Sequence, residues 1–97
     1  MYNTPIMTLG ILTLYVNVHP NTVKRYVKYG LIKPCEVKNL KLYSIKDLNK
    51  ICFILFLTKE KFYRLKEAKE LLDFLEKEKI KQKHYIFYVE KFKKNKK

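Results

Sequence analysis

The first apolar positions of the chain repeat at helical spacing. Leu9, Leu12 and Val16 are separated by three and four residues, so they share one side of a helix. Thr8 precedes them and is a suitable N-cap. The pattern predicts a first helix over residues 9–15, followed by a tight turn in which Asn17 takes the left-handed conformation that asparagine tolerates.

A second amphipathic helix is predicted over residues 20–29. Pro20 suits the first helical position, and Gly30 suits a glycine C-cap. One side of this helix carries the expected core residues Val23, Tyr26 and Val27, and the other carries Asn21, Lys24, Arg25 and Lys28. Two short helices joined by a tight turn are typical of a helix-turn-helix, although a solvated helix face would explain the polar side equally well.

A basic hairpin and a third helix are predicted next. Residues 33–43 contain β-formers on both sides of Asn39, which can supply a hairpin turn, so this segment is read as a wing beside the helix-turn-helix. Ser44 and Asp47 have the spacing of a capping box at the start of a helix that continues to about residue 57. Its predicted apolar stripe consists of Leu48, Ile51, Cys52 and Leu55.

The C-terminal part carries one clear helical pattern and one ambiguous segment. A fourth helix is predicted over residues 62–79, with a seam of Leu65, Ala68, Leu72 and Leu75 that favours core packing over a coiled coil. Residues 85–92 suit a helix or a strand equally well, and they are apolar enough to require cover by the core or by another chain. We therefore predict a winged helix-turn-helix domain over residues 1–78, a dimerisation or core-covering segment over 79–92 and a disordered basic tail over 93–97.

The charge balance identifies the class of partner. The chain has 97 residues, with 22 Lys and Arg against 9 Asp and Glu, which gives a formal net charge of +13. Such an excess favours polyanions, namely nucleic acid, an anionic membrane or an acidic protein. Because 47% of the residues are hydrophobic and 14% are aromatic, the chain is a folded basic domain and not a disordered tail.

Several classes of function are excluded by what the sequence lacks. Gly10 and Gly30 are the only glycines, so neither a dinucleotide fingerprint nor a phosphate-binding loop is present. His19, His84, Cys35 and Cys52 have no metal-ligand spacing, and the cysteines are read as free thiols in a reducing cytoplasm. We expect no metal, no cofactor, no enzymatic activity, no signal peptide and no membrane span.

The order of these motifs resembles the winged helix-turn-helix domain of MerR-type regulators. The resemblance is carried by Thr8-Leu9-Gly10, Val18-His19-Pro20, Thr22-Val23-Lys24-Arg25-Tyr26, Gly30-Leu31-Ile32-Lys33-Pro34 and Lys41-Leu42-Tyr43-Ser44 followed by Asp47-Leu48. It covers residues 6–75, and His19-Pro20 is most similar to the heat-shock-repressor (HspR-like) branch. The implied fold is mainly α, a MerR-like winged helix-turn-helix with a short β wing and a C-terminal helical or β extension.

The chain departs from the family pattern at positions that bear on base reading. Arg25 stands where the family commonly has a tyrosine, Val27 and Ile11 replace glutamates, and Lys24 and Lys41 replace arginines. The arginine guanidinium can donate two hydrogen bonds to guanine in a fixed bidentate geometry, whereas the lysine ammonium acts as a point charge. The family's long dimerising helix and effector domain are not recognised here, so we expect no small-molecule effector and no metal sensing.

The resemblance implies a DNA-binding site on the second helix and the wing. Asn21, Lys24 and Arg25 would lie nearest the base edges, with Thr22 and Lys28 on phosphates and Lys38, Asn39 and Lys41 of the wing on the flanking backbone or minor groove. Tyr26 and Tyr43 are expected in the core.

The leading functional prediction is a small transcription regulator that binds double-stranded DNA. It would be a repressor-like homodimer on a palindromic operator in the cytoplasm, associated with the nucleoid. One alternative is an excisionase-like or other architectural DNA-binding protein. The other is an RNA-associated or protein-interaction module that uses the basic charge and the tyrosine-rich C-terminal segment.

Overall fold

The computed structural model describes residues 2–95, with side chains as far as Phe92. The helices and strands follow in the order α1 (Leu9–Val16), α2 (Pro20–Tyr29), β1 (Cys35–Val37), β2 (Leu40–Leu42), α3 (Ile45–Glu60), α4 (Leu65–Lys77), a 3₁₀ helix (Gln82–Tyr88) and α5 (Val89–Asn95). This order confirms the predicted fold class, a mainly helical winged helix-turn-helix with a short β wing. None of the helices within residues 2–95 is long and apolar enough to span a bilayer.

The chain forms two compact units, one up to Phe53 and one from Ile54 onward, so the division falls inside α3. The division predicted at residue 78 separates a DNA-binding domain from a dimerisation or core-covering segment. It concerns function and not compactness, and it stays a prediction.

The first unit has a small core beneath the helix-turn-helix and the wing. The core consists of Met7, Leu12, Val23, Tyr26, Leu31, Ile32, Tyr43 and Ile51. Gly30 ends α2 at φ 87°, a left-handed conformation that glycine adopts without strain. The predicted C-cap is therefore confirmed.

The capping box at the start of α3 is confirmed. The backbone N–H of Asp47 donates to Ser44 Oγ at 3.2 Å, and the backbone N–H of Ser44 donates to Asp47 Oδ2 at 3.0 Å. The helix extends three residues beyond the predicted end. Cys52 was assigned to the apolar stripe, which is wrong because its side chain is exposed. The buried apolar positions on α3 are Ile51, Ile54 and Leu57, and Lys50 is buried as well.

The second unit packs α4 against the C-terminal segment. Ala68, Leu71, Leu72 and Leu75 of α4 are buried together with Tyr63, Tyr85 and Val89. The Phe74 ring lies 6.4 Å from the Tyr88 ring and 6.1 Å from the Phe92 ring, measured between centroids. Segment 85–92, for which the sequence allowed either a helix or a strand, is helical. Its residues Tyr85 and Val89 cover this core.

The start of α4 differs from the prediction. Phe62 adopts a left-handed conformation with φ 58°, which interrupts the helix predicted to begin there. Helix α4 begins at Leu65, where the Glu67 carboxylate accepts a hydrogen bond from the Arg64 backbone N–H at 2.8 Å.

At the C-terminus, the disordered tail predicted over 93–97 overlaps α5 as far as Asn95, and residues 96–97 lie outside the described residues.

Candidate nucleic-acid interface

The turn between α1 and α2 fixes the position at which α2 begins. Asn17 is left-handed with φ 52°, as predicted, and His19 is the N-cap of α2. His19 Nδ1 accepts a hydrogen bond from the Asn21 backbone N–H at 3.1 Å. The Thr22 backbone N–H donates to the His19 carbonyl oxygen at 2.9 Å. His19 therefore has a structural role, because it satisfies donors that the first turn of a helix leaves unpaired.

Helix α2 separates a buried apolar face from an exposed polar face. Val23 and Tyr26 are buried, and Val27 is half-buried. The opposite face exposes Asn21, Lys24, Arg25 and Lys28. The predicted orientation of the helix is confirmed, and four hydrogen-bonding or charged side chains are available on one surface.

The two tyrosines next to this surface belong to the core. Tyr26 and Tyr43 are each 2% exposed. Burial raises the pKa of both hydroxyls above the ordinary value; Arg25 partly offsets the shift for Tyr26, and the Asp47 charge adds to it for Tyr43. Both side chains stay neutral at physiological pH, and the predicted core role of each is confirmed.

The wing is a tight antiparallel hairpin. Cys35 pairs with Leu42, Glu36 with Lys41 and Val37 with Leu40. The two connecting residues, Lys38 and Asn39, have φ of 49° and 68°. Positive φ at both central residues is the geometry of a type I′ turn, which matches the twist of the strands. Asn39 supplies the turn as predicted, and the tip presents both side chains to solvent.

The base of the wing is attached to the segment before α1. Met7 and Tyr43 form an isolated antiparallel bridge. The Tyr43 backbone N–H donates to the Met7 carbonyl oxygen at 2.7 Å, and the Met7 N–H donates to the Tyr43 carbonyl oxygen at 2.9 Å. The hairpin is therefore anchored at its base, while the side chains of its tip are exposed.

An open groove of about 740 Å³ separates α2 from the wing. Its lining includes Lys24, Val27 and Lys28 from α2, Asn39, Leu40 and Lys41 from the wing, Thr8, Leu9 and Gly10 at the start of α1, and Tyr43. None of these lining residues is acidic. The groove therefore combines three lysine side chains with the positive N-terminal end of a helix dipole.

The eight predicted site residues fall into three groups in the structure. Lys24, Lys28, Asn39 and Lys41 line the groove. Asn21, Arg25 and Lys38 are exposed but do not line it, and Thr22 is half-buried near the start of α2. DNA contact by each of the eight residues stays a prediction.

The start of α1 was missed by the sequence reasoning. Thr8 Oγ1 accepts a hydrogen bond from the Ile11 backbone N–H at 3.4 Å, which confirms the predicted cap. The lining role of Thr8, Leu9 and Gly10 was not expected, because uncharged residues give no composition signal for an anion site. Only the approach of the wing to α1 places them in the groove.

The electrostatic field of the first unit is strongly positive. Up to Phe53 the sequence holds eight Lys and Arg but only Glu36 and Asp47 as acidic residues. Asp47 is engaged in the capping box and so is partly neutralised by backbone donors. A polyanion approaching the groove therefore meets little opposing charge.

The second unit exposes apolar side chains beside its basic residues. Phe74, Ile86 and Phe87 are all exposed, and the His84 and Phe87 rings lie 6.0 Å apart.

Within the described part of the chain no group of three His, Cys, Asp or Glu side chains could hold a metal ion. Cys35 and Cys52 are free thiols.

Comparison with known protein families finds a match over the greater part of the chain. Residues 7–75 match the model of a family described as MerR HTH family regulatory protein. The matched segment includes α1, α2, the wing and α3, and it ends within α4. No curated protein matches the chain.

Proposed function

Because the chain belongs to the MerR HTH family of regulatory proteins, we propose that it binds double-stranded DNA sequence-specifically and regulates transcription from the site that it binds. Family membership indicates DNA-binding transcription regulation in general. The binding mode, the residues that read the DNA and the assembly are the parts proposed here.

The observation that carries the proposal is the acid-free groove between α2 and the wing. Its open shape and its three lysines suit a sugar-phosphate strand that passes between α2, as the recognition helix, and the hairpin. The exposed polar face of α2 then enters the major groove, which is wide enough for an α-helix. The wing tip follows the flanking backbone.

Base reading is assigned to Arg25 and Asn21. A guanidinium can donate two parallel hydrogen bonds to guanine O6 and N7, and an asparagine amide can pair with adenine N6 and N7. Both side chains are exposed on α2. Lys24 lies beside them and also lines the groove, so it can turn toward a base edge or a phosphate.

Phosphate contacts are assigned to Thr22, Lys28 and the wing residues Lys38, Asn39 and Lys41. Contacts of this kind fix the position of the protein on the duplex and carry no direct sequence information. Lysine predominates among the exposed basic residues, so a large share of the affinity is electrostatic and depends on salt.

The active form in this proposal is a homodimer. The exposed side chains of Phe74, Ile86 and Phe87 in the second unit supply an apolar surface that a second copy can cover. A two-fold dimer binds an inverted repeat whose half-sites lie about 34–36 Å apart, or a multiple of that distance. Assignment to the HspR-like branch and residence at the nucleoid stay predictions.

The experiment that tests the proposal is selection from a random double-stranded DNA pool at about 150 mM salt, where non-specific binding is weak. An enriched inverted repeat with fixed spacing is the expected result. The operator found in this way can then be sought upstream of genes.

The other outcomes of the selection contradict the proposal in different ways. Enrichment of flexible or A·T-rich DNA without a repeat would instead support an architectural protein that reads DNA shape. No enrichment at all would exclude sequence-specific DNA binding and direct attention to RNA or protein partners.

A further inference from the structure

One face of α1 is apolar and exposed. Ile11, Leu14 and Tyr15 are 46%, 81% and 74% exposed. Their spacing of three and one places them side by side on the helix, on a surface that begins next to the fully buried Leu12. We call this surface the α1 outer face. Isolated exposed apolar residues are common on proteins, but three adjacent ones on a single short helix form a patch.

The α1 outer face does not belong to the proposed DNA site. The groove is lined at α1 by Thr8, Leu9 and Gly10, and none of the three outer-face residues lines it. A DNA strand in the groove would leave Ile11, Leu14 and Tyr15 uncovered.

Helix α1 itself carries no charged side chain. The first 23 residues contain no Asp, Glu, Lys or Arg, although the whole chain carries a formal charge of +13. Two copies that approach through their lysine-rich surfaces bring like charges into contact, whereas two copies that approach through α1 bring no charged side chain of that helix into contact. An acidic partner protein would instead be drawn to the lysines. The charge distribution thus favours a second copy of this chain as the occupant.

The face is too small to hold two copies together in solution. A stable interface buries about 800 Å² per partner, whereas the α1 outer face offers three side chains on an eight-residue helix. It can act only where another interaction has already brought copies together. DNA does so, because neighbouring binding sites raise the effective concentration of one bound copy near the next.

We propose that the α1 outer face joins neighbouring copies on DNA, so that adjacent sites are occupied cooperatively. The inference rests on the proposed DNA binding and adds a contact that is separate from the dimer surface of the second unit. Each contact is isologous, because Leu14 and Tyr15 of one copy meet the same residues of the next.

The test compares binding to DNA that carries one selected site with binding to DNA that carries two. The distance between the two sites is varied one base pair at a time over about one helical turn, roughly 10 bp. The variant is Leu14→Gln combined with Tyr15→Gln, since glutamine is a good helix former and adds no charge. The control is Phe62→Asn, which removes an equally exposed aromatic ring at a left-handed position that asparagine tolerates.

The wild type and the Phe62→Asn control should bind the second site about tenfold more tightly than the first at the favoured spacing, in line with a modest gain in effective concentration. The double variant should bind both sites independently while its single-site affinity stays unchanged. Cooperativity that survives in the double variant, or that is absent from the wild type at every spacing, would overturn the inference. Binding to neutral phosphatidylcholine vesicles that the double variant loses would also overturn it, in favour of a lipid surface.

A second measurement separates this inference from sequence-specific binding. Leu14→Cys is introduced into the full chain with Cys35→Ser and Cys52→Ser, and a short bis-maleimide is added with and without long random-sequence DNA. Covalent dimers that form only on DNA support the α1 contact even if the selection finds no operator. Their absence on saturated DNA would overturn the α1 contact and leave the proposed function untouched.

Discussion

Arg25 and its neighbour Lys24 carry the same charge on the exposed face of α2, but they differ in what they can recognise. The guanidinium presents a rigid fork that distinguishes guanine from the other bases, whereas the ammonium is attracted to any phosphate or acceptor. Arg25→Ala should therefore lower specific affinity by about 1–3 kcal/mol and relax the preference at one base pair. Binding of the variant to a set of single-base operator changes measures both effects.

Lys38 at the wing tip provides the contrasting case. Lys38→Asn removes a charge while it retains a residue that tolerates φ 49°. This variant should weaken binding to all sequences alike and reduce the slope of log affinity against log salt by about 0.9, the value for one phosphate contact. Equal losses for Arg25→Ala and Lys38→Asn on random DNA would show that the two residues do not divide these roles.

His19 caps α2, and two substitutions can separate its effect on stability from its effect on DNA binding. His19→Ala should lower the free energy of unfolding by about 1 kcal/mol, because the Asn21 N–H loses its acceptor. His19→Asp should keep the stability, since aspartate is a good N-cap and suits the helix dipole. Urea denaturation measures this difference.

DNA binding should rank the same two variants in the opposite order. A carboxylate at the start of α2 would face the phosphates of bound DNA, so His19→Asp should bind more weakly than His19→Ala. Stronger DNA binding by His19→Asp would mean that the start of α2 points away from the duplex.

At the scale of elements, one buried hydrogen bond ties the C-terminal segment to the turn before α4. The Tyr63 hydroxyl donates to the Val89 carbonyl oxygen at 2.6 Å. Burial, together with the Glu67 and Glu90 charges, raises the pKa of Tyr63 to about 12. An ion pair between Lys61 Nζ and Glu90 Oε1 at 3.0 Å lies nearby at the surface.

Tyr63→Phe should destabilise the protein by about 1–3 kcal/mol at neutral pH, because a buried carbonyl loses its donor. The raised pKa of Tyr63 means that the folded state retains the hydroxyl proton more strongly than the unfolded state. The stability that it contributes is complete below the ordinary pKa of 10.0 and declines as the pH rises toward about 12. The difference between wild type and variant should therefore narrow over this range. A constant difference would contradict the assigned role of the hydroxyl.

The elements that the sequence predicted well are those whose ends carry a local signal. Thr8, Asn17, Gly30 and the Ser44–Asp47 pair each act within a few residues, and each adopts the conformation expected from its side-chain chemistry. The polar face of α2 follows from helical periodicity alone. For this reason the helix-turn-helix, the wing and the start of α3 can be placed from the order of residues along the chain.

The features that were mispredicted, left open or missed depend on tertiary contacts. Phe62 gives no sign in the sequence that it will be left-handed, so the start of α4 was set three residues too early. The exposure of Cys52 depends on what packs around α3, and the helical form of 85–92 depends on Phe74, Tyr63 and their partners. The groove could not be derived from sequence, because it forms only when the wing approaches α1.

At the scale of the whole molecule, the charge and the exposed apolar surfaces compete. A net charge of +13 keeps copies apart, while the exposed side chains of Phe74, Ile86 and Phe87 favour their association. DNA neutralises part of the charge and so shifts this balance toward assembly. The proposed dimer is therefore expected to be tighter on DNA and at higher ionic strength.

Phe87→Gln should test the dimer surface without loss of the fold, since the ring is 68% exposed. We expect sedimentation to show a shift toward monomer, with affinity for an inverted repeat reduced and affinity for an isolated half-site retained. Phe62→Asn is again the matched control and should stay dimeric. If Phe87→Gln stays dimeric to the same extent, the dimer interface does not include Phe87 and must lie on another surface.

The bridge between Met7 and Tyr43 has a mechanical consequence for the wing. Because backbone hydrogen bonds fasten the hairpin at its base, the backbone amides of Met7 and Tyr43 should exchange with deuterium slowly, and those of the exposed turn residues Lys38 and Asn39 should exchange quickly. The wing is then stiff where it leaves the domain and compliant at its tip. A hairpin with this gradient of stiffness can maintain contact with the backbone of duplexes whose groove width varies with sequence. The position of α2 on the DNA need not change when the wing tip adjusts.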